Sequence, residues 1–266
     1  MRASSEVLAS MINKNKMTQN FSIALGNFLF RNCFPLYNTL YPRFKRRQDA
    51  EEIEFLKCTI RKGDTILDIG ANIGFYSRIL AELTGTGGEV YSFEPDATNF
   101  TYFLKNTKGI KNIFGENKAV AESTKTITLY TSKSLNVDHR TYKVENFEKE
   151  LSIPAISIDD YIGGKFKVDF IKLDIQGFEM SALSGMKQTI AASPDIKIIM
   201  ELWPYGLQKA NTSFEELFSF FRKNHLEMYR LGTAGITPYS GDDLNPGKNY
   251  PIEYYFNIFI TKALTI

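Results

Sequence analysis

The chain has 266 residues, 43% hydrophobic and 23% charged, which fits one globular α/β domain with appendages. Its 32 basic and 30 acidic residues leave a net charge of +2, without the basic excess of a dedicated nucleic-acid binder, so no nucleic-acid partner is expected. Cys33 and Cys58 are the only cysteines and His139 and His225 the only histidines. That excludes a disulfide framework and a His/Cys metal site, so no metal is assigned and a reduced, cytoplasmic setting is expected.

Met1 to Asn20 is polar and lacks the apolar core of a signal peptide. Phe21 to Phe34 is more apolar, but Asn27, Arg31 and Asn32 interrupt it and it is too short to span a bilayer. It reads as a helix packed on the domain, and no other run is long enough to span. Residues 1–60 are therefore expected to form a helical N-terminal arm, with a single catalytic-type domain over 61–266. The second half of the arm opens on Tyr41-Pro42-Arg43-Phe44-Lys45-Arg46-Arg47, then turns acidic at Asp49, Glu51, Glu52 and Glu54, with Ile53, Leu56 and Ile60 at helical spacing. The basic cluster reads first as a solvated face. Contact with anionic lipid or a phosphorylated substrate is the alternative, which leaves peripheral membrane contact open.

From Asp64 onward strands and helices alternate, the pattern of a parallel sheet covered on both faces. Core strands are expected at Thr65–Ile69, Glu89–Phe93, Asn112–Val120, Val168–Leu173 and Asp195–Leu202. Helices are expected at Phe75–Leu83, Thr98–Lys105, Phe178–Ile190 and through Phe214, Leu217, Phe218 and Phe221. Thr126–Tyr130 and Ile153–Ile158 also have strand character and flank a polar loop, about 132–150, that contains His139. Leu226–Leu231 and Tyr254–Thr261 complete the set. The expectation is an α/β, Rossmann-like, seven-stranded, mostly parallel sheet with an antiparallel last pair, the class I methyltransferase arrangement.

The strongest motif is Leu67-Asp68-Ile69-Gly70-Ala71-Asn72-Ile73-Gly74, which ends a strand and opens a helix. Glycine there permits a tight turn and removes a Cβ that would block a ligand. Ligands of open α/β sheets bind outside the carboxyl ends of the strands, at such a turn. Glu94, in Phe93-Glu94-Pro95-Asp96, ends the next strand, where a carboxylate can accept both hydroxyls of a ribose. A dinucleotide fingerprint needs G-x-G-x-x-G, but Asn72 and Phe75 stand where the second and third glycines belong. S-adenosyl-L-methionine has no pyrophosphate and does not need them, and Asp68 suits its ammonium or a water beside it. The expected cofactor is thus S-adenosyl-L-methionine, held by Asp68, Gly70, Ala71, Asn72, Gly74, Phe75, Glu94, Pro95 and Asp174. An NAD-type oxidoreductase and a non-catalytic cofactor-binding module are the rival readings.

Asp169-Phe170-Ile171-Lys172-Leu173-Asp174-Ile175-Gln176-Gly177-Phe178-Glu179 runs off the fourth core strand into a helix. Alternation puts Lys172 and Asp174 on one face, with Asp174 beside the cofactor loop. Asp174 and His139 are the candidate general bases, and Lys172 holds the base or stabilises a developing alkoxide. For Lys172 with Glu179, an ion pair fastening strand to helix is the bland alternative. Glu201, after four apolar residues in Ile198-Ile199-Met200-Glu201, points to the same rim as a further catalytic candidate. Arg140, Gln176 and Glu179 are the expected acceptor contacts.

Together with Ile158-Asp159-Asp160-Tyr161, these stretches resemble the FkbM family of methyltransferases over roughly Gly63 to Thr261. The resemblance implies O-methylation, commonly of a hydroxyl on a sugar, glycan, glycolipid or secondary metabolite, so the expected partner is a small-molecule or glycan acceptor. The commoner family pattern has Glu where this chain has Gln176. The Asn/Asp-Pro-Pro-aromatic run of enzymes that methylate exocyclic base amines is replaced here by Asp174-Ile175-Gln176-Gly177.

Overall fold

A computed structural model describes residues 25–30, 32–132, 147–233, 235–245 and 247–262. Helices α1 (Phe34–Gln48) and α2 (Ala50–Thr59) lead into β1 (Thr65–Ile69), α3 (Phe75–Thr84), β2 (Glu89–Phe93), α4 (Ala97–Asn106) and β3 (Ile113–Glu116). Then come β4 (Ala119–Val120), β5 (Lys125–Ser132), β6 (Phe147–Ile156), α5 (Ile158–Ile162), β7 (Phe170–Leu173), α6 (Glu179–Ser184) and α7 (Lys187–Ala192). The last elements are β8 (Lys197–Leu202), α8 (Pro204–Lys209), α9 (Phe214–Lys223), β9 (Leu226–Gly232), β10 (Gly235–Pro238) and β11 (Phe256–Lys262).

The main sheet has eight strands in the order β10-β9-β11-β8-β7-β1-β2-β3. Strands β3, β2, β1, β7 and β8 run parallel, and β11 is antiparallel to both β8 and β9. Seven of these are the strands expected of the class I arrangement. The eighth, β10, is a short edge strand hairpinned onto β9, where Pro238 is tolerated because an edge leaves N–H positions unpaired.

Strand alternation sorts the core into two layers. Ile66, Phe170 and Ile199 face Ile53, Leu56 and Ile60 of the arm and Ile79 and Leu80 of α3. Leu67, Ile171, Ile198 and Met200 face the opposite way, onto Leu183, Ile190, Leu217 and Phe221. Helix α9 shows why such a segment folds locally. Ser213 caps it by accepting from the Glu216 N–H, Glu215 and Glu216 sit in the first turn, and Arg222 and Lys223 in the last.

Three sequence expectations change. The strand read over Asn112–Val120 is two strands: β3 belongs to the main sheet and β4 to a separate three-stranded sheet ordered β4-β6-β5. The break falls where the Asn117 side chain donates to the carbonyls of Glu94 (2.8 Å) and Pro95 (3.2 Å). The helix read over Phe178–Ile190 is also two, α6 and α7. At Gly185 the chain approaches the Ala121 carbonyl so closely that a Cβ would lie 2.0 Å from its oxygen. The segment read as the strand Ile153–Ile158 ends earlier, because Ser157 caps α5 by accepting from the Asp160 N–H. Its strand, β6, begins back at Phe147, inside the stretch read as loop, and pairs antiparallel with β5.

Candidate active site

The carboxyl ends of β1, β2, β7 and β8 carry most of the residues singled out above. At the end of β1, Asp68 is buried, and the Ser77 hydroxyl of α3 donates to its Oδ2 at 2.5 Å. Its Oδ1 is buried with no hydrogen-bond partner. Burial pushes the Asp68 carboxyl up to about 6, against the pull of Lys172 and Ser77. A buried oxygen without a donor is rare in a folded protein and calls for one. The ammonium of S-adenosyl-L-methionine fits that need in charge and in donors.

Gly70 has φ 92°, and a Cβ there would lie 1.9 Å from the Asp174 carbonyl oxygen. The glycine is thus demanded by close passage of the β1 loop against the β7 loop, a different reason from the ligand clearance expected. Gly74, at φ 84°, turns the chain into α3. The N–H groups of Gly70 and Ala71 both donate to the Phe93 carbonyl, which ties the loop to β2. Glu94 completes the tie: Oε2 accepts from the Asn72 N–H at 2.8 Å and Oε1 from the Asp96 N–H at 3.0 Å. Burial raises its carboxyl to about 7 in spite of those donors. The Asn99 side chain also donates to this carboxylate, which still leaves acceptor capacity for a ribose hydroxyl. Pro95 follows at the same strand end, and Phe75 packs edge-on against Tyr41 and Tyr76.

The β7 and β8 ends border a polar cleft. Lys172, only 4% exposed, reaches into it with Nζ 3.2 Å from Asp174 Oδ2 and 3.9 Å from Glu52 Oε1, and 4.1 Å over the Tyr76 ring. Burial alone would lower the pKa of its ammonium. Asp174, Glu52 and Asp68 reverse that and hold the proton more firmly than usual. Burial likewise works against ionised Asp174, but Lys172 and Lys45 outweigh it and keep the carboxyl below its ordinary value. Glu201 behaves oppositely. Burial, then the charges of Asp174 and Glu179, drive its carboxyl well above the usual range.

Two expectations at this strand end are corrected. Lys172 does not pair with Glu179; its partners are Asp174 and, across the fold, Glu52. Glu179 is 1% exposed and its Oε1 accepts from the Gly177 N–H at 3.0 Å, so it braces the turn instead of facing an acceptor. Gln176 adopts φ 56°, and its Nε2 donates to Asp174 Oδ1 at 3.4 Å. A glutamate in that place would repel Asp174, which gives the departure from the commoner family pattern a physical sense. At Gly177 a Cβ would lie 2.6 Å from the Gly206 backbone, so that turn too needs glycine.

The sequence reading missed the arm's share of the cleft. Lys45, Gln48, Asp49 and Glu52 form one wall, and Tyr76, Tyr255 and Asn257 add to the rest. Asp49 pairs with Lys45 at 2.7 Å and accepts from the Tyr76 hydroxyl at 2.5 Å, while Glu52 accepts from Asn257 at 3.0 Å. The signal in the sequence is the switch from basic to acidic at Asp49, whereas only the basic cluster before it reads as a solvated face. Among the described residues, no group of three or more His, Cys, Asp or Glu is arranged to hold a metal ion. His139 and Arg140 lie outside the described residues.

Three solved structures are similar at low identity. A S-adenosylmethionine-dependent O-methyltransferase from Thermotoga maritima is 12% identical, with 82% of this chain and 66% of that chain covered and a TM-score of 0.45. A S-adenosylmethionine-dependent methyltransferase from Aquifex aeolicus is 16% identical, with 80% and 89% covered and a TM-score of 0.42. An rRNA methylase from Streptococcus thermophilus is 12% identical, with 80% and 95% covered and a TM-score of 0.43. No curated protein matches the sequence. The family model for the methyltransferase FkbM domain matches residues 68–228, from the buried acid of the cofactor loop through β8 and into β9. That match displaces the NAD-type reading: the chain belongs to the FkbM methyltransferase family and uses S-adenosyl-L-methionine.

Proposed function

We propose that this methyltransferase modifies a hydroxyl oxygen of a sugar, glycan, glycolipid or secondary metabolite, with Glu201 as general base. The observation that carries the reading is the cleft lining. Asp49, Glu52, Asp174 and Glu201 face Lys45 and Lys172, with Gln48 and Asn257 beside them. Such a surface offers donors and acceptors in several directions, which suits a polyhydroxylated acceptor. Its excess of carboxylates is a poor seat for a polyphosphate backbone.

Asp68 is assigned to the cofactor's ammonium and Glu94 to its ribose hydroxyls, with Gly70, Ala71, Asn72, Gly74, Phe75 and Pro95 shaping the loop. When bound, the cofactor supplies a methyl carbon on a sulfonium, a good leaving group. The protein must hold the acceptor oxygen in line with that carbon, which accounts for several kcal/mol of the barrier. An alcohol is a weak nucleophile at neutral pH, so removal of its proton adds roughly 10²–10⁴-fold. Glu201 is suited to take that proton because its environment raises its proton affinity, whereas Asp174 is held ionised and is a weaker base. Lys172 keeps Asp174 charged and faces the developing negative oxygen. Gln176 holds Asp174 in place, and His139 and Arg140 are assigned to acceptor handling.

The test uses tritiated S-adenosyl-L-methionine with purified protein and three acceptor sets: hydroxylated sugars and glycolipids, total RNA, and amines. Label in an alkali-stable ether of the first set is the expected result. Label in RNA or on an amine nitrogen overturns the reading.

A further inference from the structure

We propose that α1 seats the protein on an anionic membrane surface as an interfacial helix. Leu36, Leu40 and Phe44 follow one another at four-residue spacing and are 47%, 44% and 56% exposed. At 100° per residue they form one stripe on the outer side of α1, while Tyr37, Tyr41 and Lys45 turn inward. Arg43 and Arg47 share the outer side with the stripe, whereas Arg46 turns towards Pro42, Ile73 and Phe75 on the protein side. The helix carries four cations and no acid. Lys45 is engaged by Asp49, and among the described residues Arg43, Arg46 and Arg47 are exposed and make no ion pair. Leu25 and Phe28, in the helical turn at 25–30 that packs beside α1, add further exposed apolar surface.

An apolar stripe edged by cations is what an amphipathic helix presents to acyl chains and anionic headgroups together. RNA would engage the arginines but gains little from exposed leucines, so the combination favours lipid. No helix among the described residues is long and apolar enough to cross a membrane, so this contact would be peripheral. The inner side of the same helix lines the acceptor cleft through Lys45 and Gln48. A bilayer on the outer side would therefore lie about one helix diameter, roughly 10 Å, from the cleft. On the proposed function, that places the glycan of a lipid-linked acceptor within reach.

The experiment is vesicle co-sedimentation of the full chain, which needs neither acceptor nor turnover. Wild-type protein is expected on phosphatidylcholine vesicles that contain phosphatidylglycerol, and not on pure phosphatidylcholine. Arg43→Gln/Arg47→Gln is expected to weaken binding by at least ~10-fold, since each basic residue near such a surface adds to it. Leu40→Ser/Phe44→Ser is expected to weaken it comparably while leaving the melting temperature and cofactor affinity unchanged. Absence of binding to anionic vesicles overturns the proposal. So does binding that ignores Leu40→Ser/Phe44→Ser, preferential retention on RNA, or a wild-type dimer in sedimentation that this double variant abolishes without any vesicle binding.

Discussion

The cofactor loop and the polar cleft adjoin at the β1 and β7 ends, yet they are held together by different means. In the loop, the carboxylate of Glu94 is braced by the backbone N–H groups of Asn72 and Asp96, and the loop itself by Gly70 and Ala71 donating to Phe93. In the cleft, side-chain charge does the holding: Lys172 with Asp174 and Glu52, Lys45 with Asp49, and Asn257 with Glu52. Backbone donors stay whatever single side chain is changed, whereas a charge cluster is retuned by every substitution within it. The cleft should therefore respond steeply to substitutions, and the loop more gently.

The largest expected effect tests chemistry in the cleft. Glu201→Gln keeps shape and removes the base, and kcat should fall by roughly 10²–10⁴-fold while cofactor affinity stays within a few-fold. In the wild type, a base with a raised pKa makes the rate climb with pH until Glu201 has lost its proton, above the usual glutamate range. The Gln variant should lose that climb. Asp174→Asn should cost less, because Asp174 is already ionised and acts through position. A steady-state pH profile of both variants, beside His139→Ala, decides: a larger loss in Asp174→Asn or His139→Ala moves the base to that residue.

Lys172→Met asks whether one cation holds the cleft. Removing one partner of a buried ion pair leaves uncompensated carboxylates and should destabilise the fold by about 3–5 kcal/mol in a denaturant titration. The sign with pH is fixed by what remains. Without Lys172, Glu52 and Glu201 are more strongly driven to hold protons, so proton uptake relieves the strain at low pH. The deficit should be larger at pH 8 than at pH 5.5. A deficit that is equal at both values would mean that the cluster does not depend on this charge.

The same contrast explains what the sequence made legible. Asp68, Gly70, Asn72 and Glu94 lie within one strand-turn-helix-strand unit, so their geometry follows from local periodicity and turn chemistry. The pairing of Lys172 with Asp174 was readable for the same reason, since two residues apart on a strand share a face. Glu52 and Asn257 are separated by 205 residues and meet only because α2 packs under the sheet beside β11. No spacing rule links them, and the acids around Asp49 look like any solvated helix start. The breaks at Asn117 and Gly185 were hidden likewise, because each is set by a contact with a distant backbone. The main sheet, by contrast, was readable nearly strand by strand: β3 was read too long, through β4, and the short edge strand β10 was missed.

On the loop side, Glu94→Ala should weaken both S-adenosyl-L-methionine and S-adenosylhomocysteine by about 1.5–3 kcal/mol, the loss of charge-assisted hydrogen bonds to two hydroxyls. Calorimetry with a folded variant measures it. An unchanged affinity would remove Glu94 from the ribose and leave it as a brace for the loop alone.

The gentlest effect should be the pH dependence of cofactor binding, and it follows from the two buried acids. Burial raises Asp68 to about 6 and Glu94 to about 7. Folded, cofactor-free protein therefore holds protons that an unfolded chain, with carboxyls near 4, has already released. These two groups stabilise the free protein at low pH, and their contribution declines as pH rises through 6 and 7. A ligand bringing an ammonium to Asp68 and hydroxyl donors to Glu94 prefers both acids ionised, so its affinity should run the other way. The thermal shift given by S-adenosylhomocysteine, which keeps the ammonium and the ribose, should shrink on going from pH 8 to pH 5.5 as the two acids take up protons. Asp68→Asn should remove the part of that fall centred near 6, and Glu94→Gln the part near 7. A shift that stays flat across this range in the wild type would mean that neither acid changes protonation when the cofactor binds, and would detach the unpartnered Asp68 oxygen from the ammonium.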